Sequence, residues 1–181
     1  MPAEGITVVP YDPDWPRAFE RERVRLARRL APWLDGGVHH IGSTSIPGMA
    51  AKPFIDMLAG VRDLNEARAA YVVLEAEGYE HTPHRPDVAH HFSKGPYGLH
   101  LTERGSTLWR ERLVFRDVLR RDAALAREYE ALKLRLAREA PDIRAYTDAK
   151  RAFVHRVLVD AGVDFAWRQS GSYAGSSSAR S

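Results

Sequence analysis

The residues best suited to chemistry lie close together near position 50, where a Gly-Ser turn precedes a single acid in an apolar segment. Gly42 lets a ligand approach the backbone closely, and the amides at the start of a short helix after it can face an anion. Ser43 and Ser45 add hydroxyl donors, Lys52 adds a positive charge, and Asp56 interrupts an apolar run. A carboxylate in that setting is costly unless it is paired or bound to a metal. Phosphate donors beside a carboxylate are what a magnesium–nucleotide site requires. The candidates for phosphate binding in the turn are Gly42, Ser43, Thr44 and Ser45.

His100 is the second candidate for a catalytic or metal-binding role. It lies between Leu99 and Leu101 in a predicted strand, so its side chain points away from both leucines. We expect Asp56 and His100 to bind one divalent ion together, or His100 to act as a general base. Lys52 would then stabilise the charge that develops during a transfer reaction. The competing interpretations are a buried Asp56 held by backbone donors and a structural, hydrogen-bonded His100.

The other histidines are concentrated in the same half of the chain, which raises zinc as an alternative metal. No spacing among them matches a known zinc motif such as His-Glu-x-x-His. A zinc site would require several of them to converge near Asp56. The clustered histidines are His39, His40, His81, His84, His90, His91 and His100.

A stripe of arginines follows on a predicted helix. Arg112, Arg116 and Arg120 are four residues apart and therefore share one helix face. Such a face binds a triphosphate or an RNA backbone, or it is a solvated surface paired with acids such as Asp117. Arg116 is the member that we expect to contact a phosphate.

The elements that position these residues follow from apolar periodicity and turn signals. Four strands are predicted, over residues 38–41, 54–61, 90–93 and 98–102. Helices are predicted from Asp14 to about Ala31, where Pro32 and Gly36-Gly37 close the element, from Asp63 to about Glu77, and in three stretches after Ser106 that Asp122 and Pro141 separate. The predicted architecture is α+β, with one domain over 1–168 that is sheet-rich to about 104 and helical from about 105 to 168. The Ser- and Gly-rich tail at 169–181 is predicted to be disordered.

Composition narrows the function classes. The chain has 181 residues, a net charge of +3 and no cysteine, so disulfides, thiolate metal sites and a cysteine nucleophile are excluded. No apolar run approaches the length of a membrane span, and the N-terminus does not read as a signal peptide. We expect a cytoplasmic monomer or weak dimer without a membrane partner, and the mild charge does not indicate a nucleic-acid partner.

The segment from Gly42 to Asp56 resembles the signature of the nucleotidyltransferase superfamily of DNA polymerase β type. That signature is a Gly-Ser pair at a strand end, followed about a dozen residues later by an Asp-x-Asp/Glu pair on the next strand. Gly42, Ser43 and Asp56 match it, whereas Leu58 stands at the position of the second acid. Ordinary nucleotidyl transfer uses two metal ions held by two or three carboxylates, so Leu58 argues against that reaction.

The chain is more similar still to one subgroup, the GrpB-like family of bacterial proteins, over roughly residues 7–161. This resemblance implies the nucleotidyltransferase fold and fixes no activity. The same domain is also found fused to dephospho-CoA kinase, which suggests a link to coenzyme A metabolism. The matching segments are Pro10–Pro16, Gly42–Asp56, Leu99–Leu101, Phe115–Asp117, Tyr129 with Lys133, and Tyr146 with Lys150.

Three hypotheses follow from these residues. The first is a magnesium-dependent nucleotidyltransferase-like enzyme that binds a nucleoside triphosphate, with a small molecule, protein or RNA as acceptor. The second is a non-catalytic nucleotide-binding module that has lost the second acid. The third is a hydrolase with a His/Asp metal site.

Overall fold

The computed structural model describes residues 7–83 and 85–163. The helices are α1 (Trp15–Arg29), α2 (Tyr71–Ala76), α3 (Thr107–Arg121), α4 (Ala123–Glu139) and α5 (Ile143–Asp160). The strands are β1 (Leu34–Ile41), β2 (Ile55–Val61), β3 (Glu80–His81), β4 (His90–Lys94) and β5 (Tyr97–Glu103). Two 3₁₀ helices cover Ser43–Ser45 and Glu66–Ala70. The predicted α+β class is confirmed.

The strands form one mixed sheet in the order β1-β2-β5-β4-β3. β2 and β5 are parallel, and the other neighbouring pairs are antiparallel. The register places Ile41 and Gly98 on either side of Asp56. It also places Leu58 beside His100. Since side chains alternate along a strand, Asp56, Leu58 and His100 lie on the same face.

The two faces of the sheet are covered by different helices. Met57 and Leu99 point to the face that packs on α1 and α2, in the largest apolar cluster. Leu58 and Ile41 point to the opposite face, where they pack against Trp109 of α3. α3, α4 and α5 share a third cluster with the segment that follows the 3₁₀ helix Ser43–Ser45. That cluster consists of Ile46, Met49, Leu119, Tyr129, Phe153 and Val157. The helical half of the chain therefore lies over the face that carries Asp56.

Side-chain caps set the beginning of each helix in this half. The Ser106 hydroxyl accepts from the Trp109 amide at the start of α3. Asp122 accepts from the amides of Ala124 and Leu125, both at 2.9 Å, and so begins α4. Asp142 does the same for α5. Such caps satisfy amides that lack a partner within the helix. Asp122 lies between two helices, as the sequence predicts.

Several boundaries differ from those that the sequence predicts. Gly36 and Gly37 do not close the first helix but lie inside β1, at an irregularity between Leu34 and Val38. Both have positive φ, and a Cβ on Gly36 would lie 3.2 Å from the Trp109 ring. The helix predicted from Asp63 begins as the 3₁₀ helix Glu66–Ala70. β3 falls in a segment with no strand signal, because two residues are too few to show alternation. The predicted tail at 169–181 lies outside the described residues.

A helix needs about 20 predominantly apolar residues to span a membrane. In the part of the chain that the structure describes, no helix is both long enough and apolar enough to cross a bilayer.

Candidate functional site

Asp56 is the centre of the candidate site, and glycines flank it on both sides, Gly42 just after β1 and Gly98 on β5. A Cβ on Gly42 would lie 2.7 Å from Asp56 Oδ2, and Gly42 has φ +70°. A Cβ on Gly98 would lie 3.3 Å from Asp56 Oδ1 and 2.5 Å from Phe54 Cε1. The carboxylate thus occupies a slot that only glycine neighbours leave open. Its side chain keeps 36% of its exposure, so a ligand can reach it.

The structure brings His100 to Asp56, as the sequence predicts. His100 Nε2 lies 3.6 Å from Asp56 Oδ1, and its side chain is 19% exposed. This distance suits an ion pair when the imidazole is protonated and is too long for a direct hydrogen bond. The ring of His91 stands edge-on to His100, with 4.5 Å between the centroids. Asp56 on β2 and His100 on β5 are therefore placed to act on one ligand from adjacent strands.

The turn after β1 uses two of its three hydroxyls to hold itself together. Ser45 Oγ donates to the Gly42 carbonyl at 2.6 Å. Thr44 Oγ1 donates to the Phe54 carbonyl at 3.2 Å and lies 3.0 Å from His40 Nε2. The side chains of Thr44 and Ser45 are buried, and the Ser45 amide also donates to the Gly42 carbonyl, so their contact with phosphate stays a prediction. Ser43 differs, since its side chain is only half-buried and faces Tyr129.

Leu58 occupies the position where the superfamily signature has its second acid. It is fully buried and packs with Ile41 and Trp109. A carboxylate there would lose its hydration among apolar side chains. The lack of a second acid is therefore built into the packing between the sheet and α3.

The arginines of α3 hold the backbone of the turn. Arg116 Nη1 donates to the His40 carbonyl at 3.2 Å, and its Nε donates to Asp117 at 2.7 Å. Arg120 Nε donates to the Ser45 carbonyl at 3.0 Å. Arg116 thus ties α3 to the end of β1 and Arg120 ties it to the Gly42–Ser45 turn, and phosphate binding by Arg116 stays a prediction. Arg112, the third member of the stripe, is exposed and makes neither contact.

The helical layer adds Lys150, which the sequence offers, together with Lys133, either as part of the frame of a nucleotide cleft or as a surface residue. Lys150 Nζ lies 4.2 Å from the ring centroid of Tyr146. Burial lowers the pKa of Lys150 to about 8. Asp56 opposes this shift, and the charges of Lys52 and Arg112 add to it. Lys150 therefore lies within the electrostatic reach of Asp56, Lys52 and Arg112. We call Ser43, Lys52, Asp56, His100, Arg112 and Lys150 together the Asp56 cluster.

A second lysine, Lys133, joins the turn to α4. It is 2% exposed, and its Nζ donates to the Ala50 carbonyl at 2.5 Å. The Ala50 amide donates to the carboxylate of Glu130 on the same helix. Burial lowers the pKa of Lys133 to about 8, an effect that Glu130 opposes and Lys150 reinforces. Both polar groups of Ala50 are thus bonded to ionisable side chains of α4.

The sequence contains a pattern that sets Lys133 and Lys150 apart from other basic residues. The chain contains only four lysines, and two of them follow a tyrosine by four residues, as Tyr129-x-x-x-Lys133 and Tyr146-x-x-x-Lys150. Residues four apart stack on one helix face, and each ammonium indeed lies near the ring of its own tyrosine. This chain uses arginine for most of its positive charges. A Tyr–Lys pair that is repeated on two helices and faces inward therefore indicates that these two lysines belong to a functional site.

Most of the clustered histidines serve other contacts. His39 Nε2 lies 2.7 Å from the Gly36 carbonyl. His40 stacks on Phe19, on the other face of the sheet, and burial lowers its pKa to about 4. His90 Nε2 lies 2.6 Å from the Leu64 carbonyl. Among residues 7–83 and 85–163, no three His, Asp or Glu side chains form a metal-binding group. Of the histidines that the zinc hypothesis needs near Asp56, His100 lies there and His91 contacts the His100 ring, whereas His39 and His40 make the other contacts just given; His84 lies outside the described ranges.

Two surface cavities lie elsewhere. One of about 490 Å³ is lined by α1 arginines, including Arg21 and Arg28, and by Glu77. The other, of about 690 Å³, is lined by residues such as Arg68 and Ser106. Neither is lined by Asp56. The candidate site is therefore defined by converging charges and by its glycine slot, not by the depth of a cavity.

Comparison with solved structures places the fold. The chain matches the crystal structure of conserved protein GrpB from Enterococcus faecalis with a TM-score of 0.77 and 33% identity, over 86% of this chain and 96% of that one. It also matches the structure of Cid1 in complex with its short product ApU, with a TM-score of 0.54 and 15% identity, over 83% of this chain and 46% of that one. The predicted nucleotidyltransferase fold is confirmed.

Sequence relatives give the same family. UPF0157 protein YqkA of Bacillus subtilis is 36% identical over 161 residues, covering 84% of this chain. The chain spans 46% of the length of that relative. The family model described as GrpB protein matches residues 5–160. The predicted resemblance is confirmed, and the chain belongs to the GrpB family.

Proposed function

We propose that this protein binds a nucleoside triphosphate at the Asp56 cluster, with one magnesium ion on Asp56. The observation that carries the proposal is the accessible carboxylate in its glycine slot, within electrostatic reach of Lys150, on which the charges of Lys52 and Arg112 also act. Cationic side chains bind phosphate oxygens, and a carboxylate binds the magnesium that accompanies them. The nucleotidyltransferase fold supports a ligand at this end of β1 and β2.

The residues present fit one magnesium ion. Mg²⁺ prefers oxygen ligands and is commonly held by one or two carboxylates together with substrate phosphates. Asp56 supplies such an oxygen, while His100 offers a nitrogen that suits magnesium less well. When bound, the ion would polarise phosphate oxygens and neutralise charge. Asp56 alone among the cluster side chains is suited to hold it.

The remaining cluster residues have roles that follow from their positions. Ser43 donates towards the phosphates at the turn, and Lys52 neutralises their charge. His100, on the neighbouring strand, accepts the proton of an attacking hydroxyl if a transfer takes place. Its Nε2 lies 3.6 Å from Asp56 Oδ1, so the two side chains face the same ligand.

A second candidate function is a binding module that holds the nucleotide without transferring it. The buried Leu58 supports this alternative, because two-metal transfer has no second carboxylate here. Incubation with α-labelled nucleoside triphosphates and magnesium separates the two. Pyrophosphate release that Asp56→Asn abolishes excludes the module, and binding without release supports it.

The binding proposal is tested by thermal shift with each nucleoside triphosphate, with and without magnesium. A ligand at ~100 times its Kd stabilises the folded state by roughly 2.7 kcal/mol, or about 5–10 °C in a chain of this size. We expect Asp56→Asn to lose the magnesium-dependent part of this shift. Asp160→Asn, an exposed acid at the end of α5, is the matched control and should behave as the wild type. No shift with any nucleotide would refute the proposal.

A further inference from the structure

Lys150 lies on the inward face of α5. Tyr146, Lys150, Phe153 and Val157 are spaced three or four residues apart and share one face of the helix. Tyr146, Phe153 and Val157 are buried, and the last two pack with Tyr129 of α4. The ammonium lies 4.2 Å from the centroid of the Tyr146 ring. The tyrosine therefore holds the charge on the face of α5 that packs on the other helices instead of leaving it in solvent.

The ammonium of Lys150 differs from that of Lys133 in its partners. Lys133 Nζ donates to the Ala50 carbonyl. Across the described ranges, Lys150 Nζ has no carbonyl or carboxylate acceptor at hydrogen-bonding or ion-pair distance. An ammonium has three donors and no acceptor. A partly buried group with free donors, held on the inward face of α5 by the Tyr146 ring and within electrostatic reach of Asp56, is prepared for an anion from outside the chain.

A second divalent ion does not fit this site. Its carboxylate would have to stand at position 58, where Leu58 is buried against Trp109. Within the Asp56 cluster, Lys52, Arg112 and Lys150 carry three positive charges against one negative charge on Asp56. Two divalent ions added to such a group would be repelled at short range, whereas a polyphosphate would be attracted.

We propose that the ammonium of Lys150 takes the place of the second divalent ion and binds the phosphate chain of the ligand directly. This inference rests on the proposed function and deepens it. The site then holds one divalent ion at most, and its affinity for a phosphate chain persists without metal. Lys52 and Arg112 contribute charge from the loop before β2 and from α3.

The test uses inorganic tripolyphosphate, which has the phosphate chain without the nucleoside. Binding is measured by calorimetry in EDTA and in magnesium, for the wild type and three variants. We expect tripolyphosphate to bind the wild type in EDTA. Lys150→Met should weaken binding by roughly tenfold or more, the effect of losing a charge-assisted hydrogen bond. Lys150→Arg should keep most of the affinity, and Arg110→Met, an exposed change on α3, should match the wild type.

The number of bound ions gives an independent readout. Mn²⁺ titration followed by electron paramagnetic resonance, with tripolyphosphate present, should saturate at one ion per chain. Two bound ions, binding that disappears in EDTA, or equal affinities of Lys150→Met and the wild type would each overturn the inference. Circular dichroism of each variant confirms that it is folded.

Competition separates this inference from the proposed function. If tripolyphosphate binds through Lys150 and no nucleoside triphosphate displaces it, the role of Lys150 stands and the nucleotide proposal fails. If nucleotides bind and Lys150→Met binds them as the wild type does, the nucleotide proposal stands and the role of Lys150 fails.

Discussion

Replacing Lys133 with methionine is expected to remove an alkaline increase in the stability of this protein. Burial lowers the pKa of Lys133 from its ordinary value of 10.5 to about 8. Below pH 8 the side chain is protonated in both the folded and the unfolded state. Between pH 8 and 10.5 the unfolded chain keeps a proton that the folded protein has released. The free energy of unfolding therefore rises with pH across this window.

The size of the effect follows from the same interval. One pKa unit corresponds to about 1.4 kcal/mol, so the interval from about 8 to 10.5 gives roughly 3 kcal/mol. Lys133→Met lacks the titrating group. The difference in unfolding free energy, wild type minus variant, should therefore rise by roughly 2–3 kcal/mol over this range. Burial also lowers the pKa of Lys150 to about 8, but Lys150 is present in both proteins and largely cancels in the difference.

Urea unfolding followed by circular dichroism at half-unit steps from pH 7.5 to 10.5 measures this difference. Arg110→Met is the control, because a guanidinium does not titrate in this range, and its curve should run parallel to that of the wild type. A difference curve for Lys133→Met that is flat, or that falls as the pH rises, would refute the reasoning. It would mean that the Lys133 ammonium remains as favourable inside the protein as in water.

Three further substitutions test the packing around the site. Gly98→Ala should destabilise the protein by about 1–3 kcal/mol, because its Cβ would lie 2.5 Å from Phe54 Cε1; urea unfolding measures this. Leu58→Asp should cost roughly 3–5 kcal/mol, since it buries an uncompensated charge beside Trp109, and calorimetry should show no added magnesium binding. Asp122→Ala removes two cap hydrogen bonds of 2.9 Å from α4 and should cost roughly 1 kcal/mol in thermal unfolding.

Each of these substitutions has a matched control. Phe54→Leu should reduce the cost of Gly98→Ala if the clash is the cause, which a double-mutant cycle detects. Leu58→Met should cost less than about 1.5 kcal/mol, because it conserves volume. Asp122→Asn keeps the cap and should be nearly neutral. Equal costs for control and test substitutions would contradict the assigned mechanism in each case.

The pairing of Asp56 with His100 could be predicted from sequence because it depends on local rules. Both residues interrupt apolar strands, and alternation puts each on one definite face. The position of Asp56 beside the Gly42-Ser43 turn follows from the short connection between β1 and β2. The helix starts near Ser106 and Asp122 could be predicted for the same reason, because a capping side chain acts within three residues along the chain.

The contribution of Lys150 could not be derived in this way. It depends on how α5 packs against α3 and α4, nearly a hundred residues away from Asp56 along the chain. The stripe of Arg112, Arg116 and Arg120 shows the same limit. Helical spacing predicts a shared face, but only the packing shows that Arg116 bonds a carbonyl of β1 and Arg120 a carbonyl of the turn, while Arg112 does neither.

The double attachment of Ala50 to α4 has a consequence for dissecting this protein into fragments. Its amide and carbonyl are bonded to Glu130 and Lys133, while Ile46 and Met49 are buried against the same helical layer. A fragment that stops before α4 would expose both apolar residues and leave the backbone of Ala50 without its charged partners. The sheet is therefore not an autonomous unit, and an expression experiment restricted to its strands should yield insoluble material instead of a smaller nucleotide-binding domain.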